Sequence, residues 1–281
     1  MKFLTLIFFL LISPFCEKKQ QNVVCEKQDR IILANSFSQL VPQKNLSIAK
    51  LVALAGKSLL SKPYVAHTLE KEGKEQLVIN FRELDCTTFV ENSLAIARSV
   101  KYNDASFDSF SRQLCQIRYR NAVINGYTSR LHYFSDWIVE NEKKGLVENV
   151  SEEIGGTEYP LSVGFMSTHP ESYRQLKQNP DFVSIMAEKE KEINRRKMFF
   201  LPKNQVEEKE HLLHEGDIIG ITTSIKGLDI SHVGILMRKK GHIHLMHASS
   251  AIHKVVISEE TLYTYLQKSK RATGIMIVRP L

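Results

Sequence analysis

Several things that would mark a specialised chain are missing from this one. No fixed-period repeat runs along its 281 residues, and no Gly/Ser- or Pro-rich linker divides them. Repeat arrays and collagen-like rods are therefore excluded, leaving one elaborated domain or two small ones. There is no dense basic stripe: 38 Lys+Arg against 31 Asp+Glu leave a mild +7. That balance suits an anionic surface or substrate but not a nucleic-acid binder. With 43% hydrophobic and 25% charged residues, the chain is neither disordered nor a multi-span membrane protein. Cysteines number only four, and a chain this long buries a full core without disulfide staples.

At the start, Lys2 precedes an apolar run from Phe3 to Phe15 that gives way to Glu17-Lys18-Lys19-Gln20-Gln21. At about 13 residues the run is short of the ~20 a bilayer span needs. A basic start, a short apolar centre and a break make the layout of a secretory signal. Residues 1–25 are thus expected to be an export leader, with residues 26–281 as a single domain in the periplasm or at a membrane surface. Cys16 ends the run where a lipoprotein would be acylated, although Ser13-Pro14-Phe15 fits that signal poorly. If Cys16 is anchored or removed, Cys25, Cys86 and Cys115 remain. That odd count predicts at least one free thiol.

Residues 26–45 read as a polar lead-in. Ser47 predicts a helix cap, with Gly56 near the helix's stop, and Gln76–Phe81 reads as a short strand. Asp85 predicts an N-cap, followed by Phe89, Val90, Leu94, Ile96 and Ala97 at helical spacing. About 101–210 is mostly helical in pattern, with a solvated charged run at Glu188–Lys197. Beyond Gly216-Asp217, five β-like segments follow: 218–221, 231–237, 243–248, 254–257 and 274–278. Helices first and short strands later predict an α+β fold.

Three motifs carry the chemistry. Leu84-Asp85-Cys86-Thr87-Thr88-Phe89-Val90 puts a cysteine in the first turn of a helix, where unpaired N–H groups favour a thiolate. A lone cysteine there also reads as a small buried hydrophobe. Ile230-Ser231-His232-Val233-Gly234 and His242-Ile243-His244-Leu245-Met246-His247-Ala248-Ser249 read as two strands of a hairpin turning at Lys239-Lys240. In that register Arg238 faces Gly241, and His232 faces His247 directly. One imidazole would take the thiol proton while the other fixes its tautomer. His242 and His244 share a strand face, a spacing zinc sites use, but no carboxylate stands nearby in sequence. No metal or other cofactor is expected.

Together these motifs resemble the NlpC-type cell-wall cysteine peptidases. Their Asp-Cys-Ser-Gly-Phe-Val, His-Val-Gly-Ile and His-Ala-Ser appear here as Asp85–Val90, His232–Ile235 and His247–Ser249, with Pro63-Tyr64 upstream. A closer likeness, over nearly the whole mature length, is to the N-acetylmuramoyl-L-alanine amidase-like branch. It rests on Tyr64-Val65-Ala66, Leu84–Glu91, Arg130-Leu131-His132-Tyr133-Phe134-Ser135-Asp136-Trp137 and Gly227–His232. The resemblance implies a papain-like core in which the Cys86 helix packs on an antiparallel sheet, with a large mostly helical insertion. It implies hydrolysis of the amide between muramic acid and L-alanine, with peptidoglycan fragments, including anhydro-muropeptides, as substrates. Cys86 would be the nucleophile, His232 the base, His247 the orienting residue, and Tyr64 a residue lining the site. Where the broad family has Gly-Gly and Ser-Gly, this chain has His67-Thr68 and Thr87-Thr88. Those residues fill space beside the nucleophile and argue against γ-D-glutamyl-diaminopimelate cleavage, the main alternative. A non-catalytic wall-binding lipoprotein is the other. Arg130, His132, Tyr133 and Trp137 are candidates for substrate recognition, or equally, for the first two, a helix core and a surface ion pair; for Trp137, core packing is the stronger reading.

Overall fold

The computed structural model describes residues 23–281; the apolar run Phe3–Phe15 and Cys16 lie outside them. Strand β1 (Val23–Cys25) pairs in parallel with β2 (Leu77–Ile79), Val24 opposite Val78. The fold thus already includes the last three residues assigned to the leader. Helix α1 (Lys27–Leu40) replaces the expected polar lead-in. Its Ile32, Leu33, Phe37 and Leu40 recur at helical spacing and are buried. Helix α2 (Ile48–Ser58) starts where Ser47 predicts, the Ser47 hydroxyl accepting the Lys50 N–H at 3.4 Å. Gly56 lies near the end of this helix, as expected, two residues before Ser58. It lies where α2 packs on the sheet, and a Cβ there would meet Met246 Cε at 2.3 Å.

Helix α3 (Cys86–Lys101) opens at Asp85, which accepts the Thr88 N–H at 2.7 Å while Thr88 Oγ1 accepts the Asp85 N–H at 2.9 Å. This reciprocal cap is worth about 1 kcal/mol. From Thr88 to Val100 every residue of α3 is buried. The buried Glu91 is held by Arg118 at 2.6 Å, and Arg118 also donates to the Val78 carbonyl at 2.7 Å.

Next come α4 (Phe107–Arg118), α5 (Phe134–Lys143), β3 (Val147–Asn149), β4 (Thr157–Tyr159), α6 (Phe165–Thr168), α7 (Arg174–Gln178), α8 (Pro180–Ile193) and β5 (Met198–Pro202). The segment 101–210 is mostly helical, as expected, but its three short strands join the main sheet. That sheet continues through β6 (Ile218–Thr223), β7 (Ile230–Lys239), β8 (His242–Ser249), β9 (Lys254–Thr261) and, after helix α9 (Leu262–Lys268), β10 (Ala272–Pro280). The order is β4-β5-β10-β6-β7-β8-β9, antiparallel throughout, with β3 also on β10. Alternate residues divide the two cores. Ile218, Ile235, Met246, Met276 and Val278 face the helices around α3. Ile219, Ile221, Leu236, Leu245 and Ile275 face Leu262 and Leu266 of α9.

Candidate active site

The β7–β8 hairpin turns at Lys240-Gly241, both with positive φ (52° and 88°), the geometry of a two-residue hairpin loop. Arg238 therefore pairs with Ile243 rather than Gly241. The register is offset by two residues from the expected one, which preserves the face on which each side chain lies. His232 and His247 become diagonal neighbours instead of direct ones, and they still meet. His232 Nε2 lies 2.7 Å from His247 Nδ1, with the rings edge to face. A bulge at Ser231, between the pairs Thr222–Ile230 and Ile221–His232, directly precedes His232. Such a bulge re-aims the side chain beside it.

Cys86 and His232 line one cleft of about 210 Å³ with Thr87, His132, Tyr173 and Asp229. The thiol is free and half-buried. Burial, then the adjacent Asp85 carboxylate, push it up to about 11, against the pull of the Val233 N–H and of Thr87. The first turn of the helix thus does not by itself create a thiolate, contrary to the sequence-based expectation. Burial, with His247 alongside, presses His232 down to about 3. Burial presses His247 down to about 4, the Glu260 carboxylate pulling the other way. The resting pair is a neutral thiol and a neutral imidazole. For His232 to accept a proton at Nδ1, its Nε2–H must donate to His247 Nδ1, which leaves the His247 hydrogen on Nε2.

Tyr64 sits on a strap between β9 and the start of α3. Its N–H donates to the His253 carbonyl at 3.0 Å, and the Val65 N–H donates to the Leu84 carbonyl at 3.1 Å. Burial, then the proximity of Cys86, raise its phenol. Of the two threonines, only Thr87 stands exposed in the cleft; Thr88 is buried in the helix cap.

The proposed recognition residues divide differently. His132 lines the cleft and bonds the Tyr127 carbonyl through Nε2 at 3.0 Å. Burial, then Arg130, press it down to about 3, so its Nδ1 is an acceptor. Arg130 is 8% exposed and engages Glu75 through Nε and Nη2 and Glu70 through Nη1, all at 3.0 Å. Its charge is committed within the chain. The Tyr133 hydroxyl, which also lines the cleft, donates to Glu190 at 2.6 Å and accepts the Met166 N–H at 3.0 Å. Trp137, 3% exposed, stacks on Phe134 in the core with centroids 5.4 Å apart.

Two residues escaped the sequence reading. Asp229 is buried in the cleft wall and accepts the Ser135 N–H at 2.7 Å, capping α5 from another part of the chain. Tyr265 of α9 packs its ring edge-on to His247, with centroids 5.4 Å apart. Asp229 stands in a quoted motif but its partner is 94 residues away, and a tyrosine in a seven-residue helix carries no pattern of its own. Among the described residues, no group of three or more His, Cys, Asp or Glu could hold a metal ion. His242 lies near Glu210, while His244 is turned to the Ser258 carbonyl at 3.0 Å.

An α+β domain whose cleft is lined by a helix-opening thiol and by an imidazole bonded to a second imidazole is the class this fold and site define. Residues 54–275 match the model of the AmiA-like, N-acetylmuramoyl-L-alanine amidase-like family, and the chain belongs to that family. Among solved structures it is similar to an N-acetylmuramoyl-L-alanine amidase from Bacteroides uniformis (39% identity, TM-score 0.80, covering 83% of this chain and 99% of that one). It is also similar to a Bacteroides fragilis protein named as a candidate xylanase (43% identity, TM-score 0.77, covering 80% and 98%). A Legionella pneumophila protein at 21% identity and TM-score 0.68 shares the fold. No curated protein matches the chain.

Proposed function

We propose that this protein is a cysteine-dependent peptidoglycan amidase with an NlpC-type, papain-like core, cleaving the N-acetylmuramoyl-L-alanine bond of muropeptides and anhydro-muropeptides. The observation that carries the reading is the 2.7 Å His232–His247 bond beside a cleft that Cys86 also lines. The Cys86 sulfur attacks the lactyl carbonyl carbon as its proton passes to His232. His247 holds the ring's tautomer and orientation. The tetrahedral oxyanion takes hydrogen bonds from the Cys86 N–H, unpaired at the helix start, and from the Tyr64 hydroxyl. Imidazolium His232 then protonates the alanine nitrogen as the C–N bond breaks, leaving a thioester. Water gives its proton to His232 and attacks the thioester, releasing the muramic acid and returning the thiol.

The leader layout and a cell-wall substrate together put this activity outside the cytoplasm, in the periplasm or anchored through a lipidated Cys16. Among the described residues, no helix is long and apolar enough to cross a membrane. Glycoside hydrolysis, the chemistry implied by the name of the B. fragilis relative, uses a pair of carboxylates across the bond. Among the described residues, Asp229 is the one carboxylate lining this cleft, and it is bonded to backbone N–H groups of Ser135 and Ile230. The test is mass spectrometry of digested muropeptides. Free peptides beginning with L-alanine are expected. Peptides cut after γ-D-glutamate would make the enzyme an endopeptidase, and shortened glycan chains would make it a glycosidase.

A further inference from the structure

A second hollow, of about 300 Å³, adjoins the first at His232. It shares Ser231 and His232 with the Cys86 cleft and is walled by Glu260, Tyr265 and Lys268. Its position follows from a break in the β8–β9 ladder. His244 pairs with Thr261 but Met246 pairs with Ile257, leaving extra residues on β9. The Ser258 hydroxyl accepts the Leu245 N–H at 3.1 Å and donates to the Glu260 carbonyl at 2.7 Å, which pins the bulge. Helix α9 then starts at Leu262, capped by Thr261, and carries Tyr265 against His247 and Lys268 onto the rim. Lys268 Nζ lies 3.0 Å from Glu260 Oε1, and the lysine side chain is 66% exposed. No motif of the sequence reading covers α9.

A substrate drawn across His232 must extend to both sides of the scissile amide. The hollow offers an exposed ammonium on a four-carbon stem, an aromatic wall and an apolar floor of Ile221, Leu266 and Ala272. The ammonium is held in the free protein by a carboxylate that a ligand carboxylate can replace. The mild net positive charge of the chain favours the same kind of ligand.

We propose that this hollow is a subsite for the acidic peptide of the substrate, Lys268 exchanging Glu260 for a carboxylate one residue beyond the scissile L-alanine. The proposal rests on the amidase reading for its choice of ligand. Its test does not require turnover. Binding of N-acetylmuramoyl-L-alanyl-D-isoglutamate and of its carboxamide analogue, N-acetylmuramoyl-L-alanyl-D-isoglutamine, is measured by calorimetry on the Cys86→Ala protein and on Cys86→Ala/Lys268→Gln. The acid should bind about five- to tenfold more tightly than the amide, the scale of one hydrogen bond's net worth. Lys268→Gln should erase that difference without weakening the amide. Equal affinities in the Lys268 protein, binding of neither compound, or a preference that survives Lys268→Gln, would overturn the subsite. Whether the Cys86 protein cleaves either compound decides the amidase reading separately.

Discussion

At the scale of the residue, the proposed mechanism starts from acid–base groups that are uncharged until substrate arrives. Cys86 lies above the usual thiol range, and His232 and His247 lie below the usual imidazole range, chiefly because each is buried. The kcat/KM profile should therefore lack the acid limb near pH 6.5 that a solvated histidine gives, and should hold level to about pH 4–5. A limb centred near 6.5 would mean that His232 is wetter than its surroundings imply. His247→Ala removes the partner of His232 Nε2, so kcat should fall about 10²- to 10⁴-fold, the usual worth of a positioned base, with KM little changed. An equal loss confined to KM would show that His247 contacts substrate and does not orient the base. The helix that opens at Cys86 and the meeting of His232 with His247 were legible, from a cap motif and from alternation along two strands. Arg130 was not. Its partners Glu70 and Glu75 lie 60 and 55 residues away, and no local pattern distinguishes a guanidinium committed to its own chain from one awaiting a ligand.

At the scale of the element, the site depends on where α2 and α3 meet the sheet. Gly216 enters β6 with φ +92°, and a Cβ there would lie 1.9 Å from the Ala49 carbonyl oxygen in the first turn of α2. Gly216→Ala should thus cost about 2 kcal/mol or more, since both the left-handed backbone and the contact oppose it. The measurement is the urea midpoint, expected to drop at constant m-value; an unchanged midpoint would mean that α2 shifts freely. The strands β6 to β10 could be read from their β-branched and apolar runs, and α3 from its cap. The hairpin register was offset by two because Lys239-Lys240 and Lys240-Gly241 are both short turns in sequence, and only the positive φ at Gly241 selects the second. Helix α1 was hidden because its four buried apolar residues sit in a polar segment. Strands β3 to β5 are short, and their pairing is decided by the distant β10 and by each other.

At the scale of the whole molecule, three imidazoles are held in neutral form by their surroundings: His132, His232 and His247, at about 3, 3 and 4. Unfolded, each would titrate near 6.5. As pH falls below 6.5 the unfolded chain takes up protons that the folded chain refuses. The stability these groups confer is complete above that pH and is lost between about 6.5 and 3, His247 contributing down to about 4. Each group adds up to about 1.4 kcal/mol per pH unit to the slope. Urea titrations at stepped pH should show that loss, and a flat response from pH 7 to 5 would contradict the burial of these rings. The α+β class was legible at this scale from helices preceding strands. The sharing of one sheet between the core and the 101–210 segment was not, because strands of three to five residues carry too little periodicity to be read.

The most direct measurement is turnover of a purified muropeptide by the Cys86→Ala protein, with circular dichroism showing that its fold is retained. If Cys86 is the nucleophile, release of the L-alanyl peptide falls at least a thousandfold, to the level left when a nucleophile is removed from an otherwise intact site. Release continuing at the wild-type rate from a folded Cys86→Ala protein would contradict it.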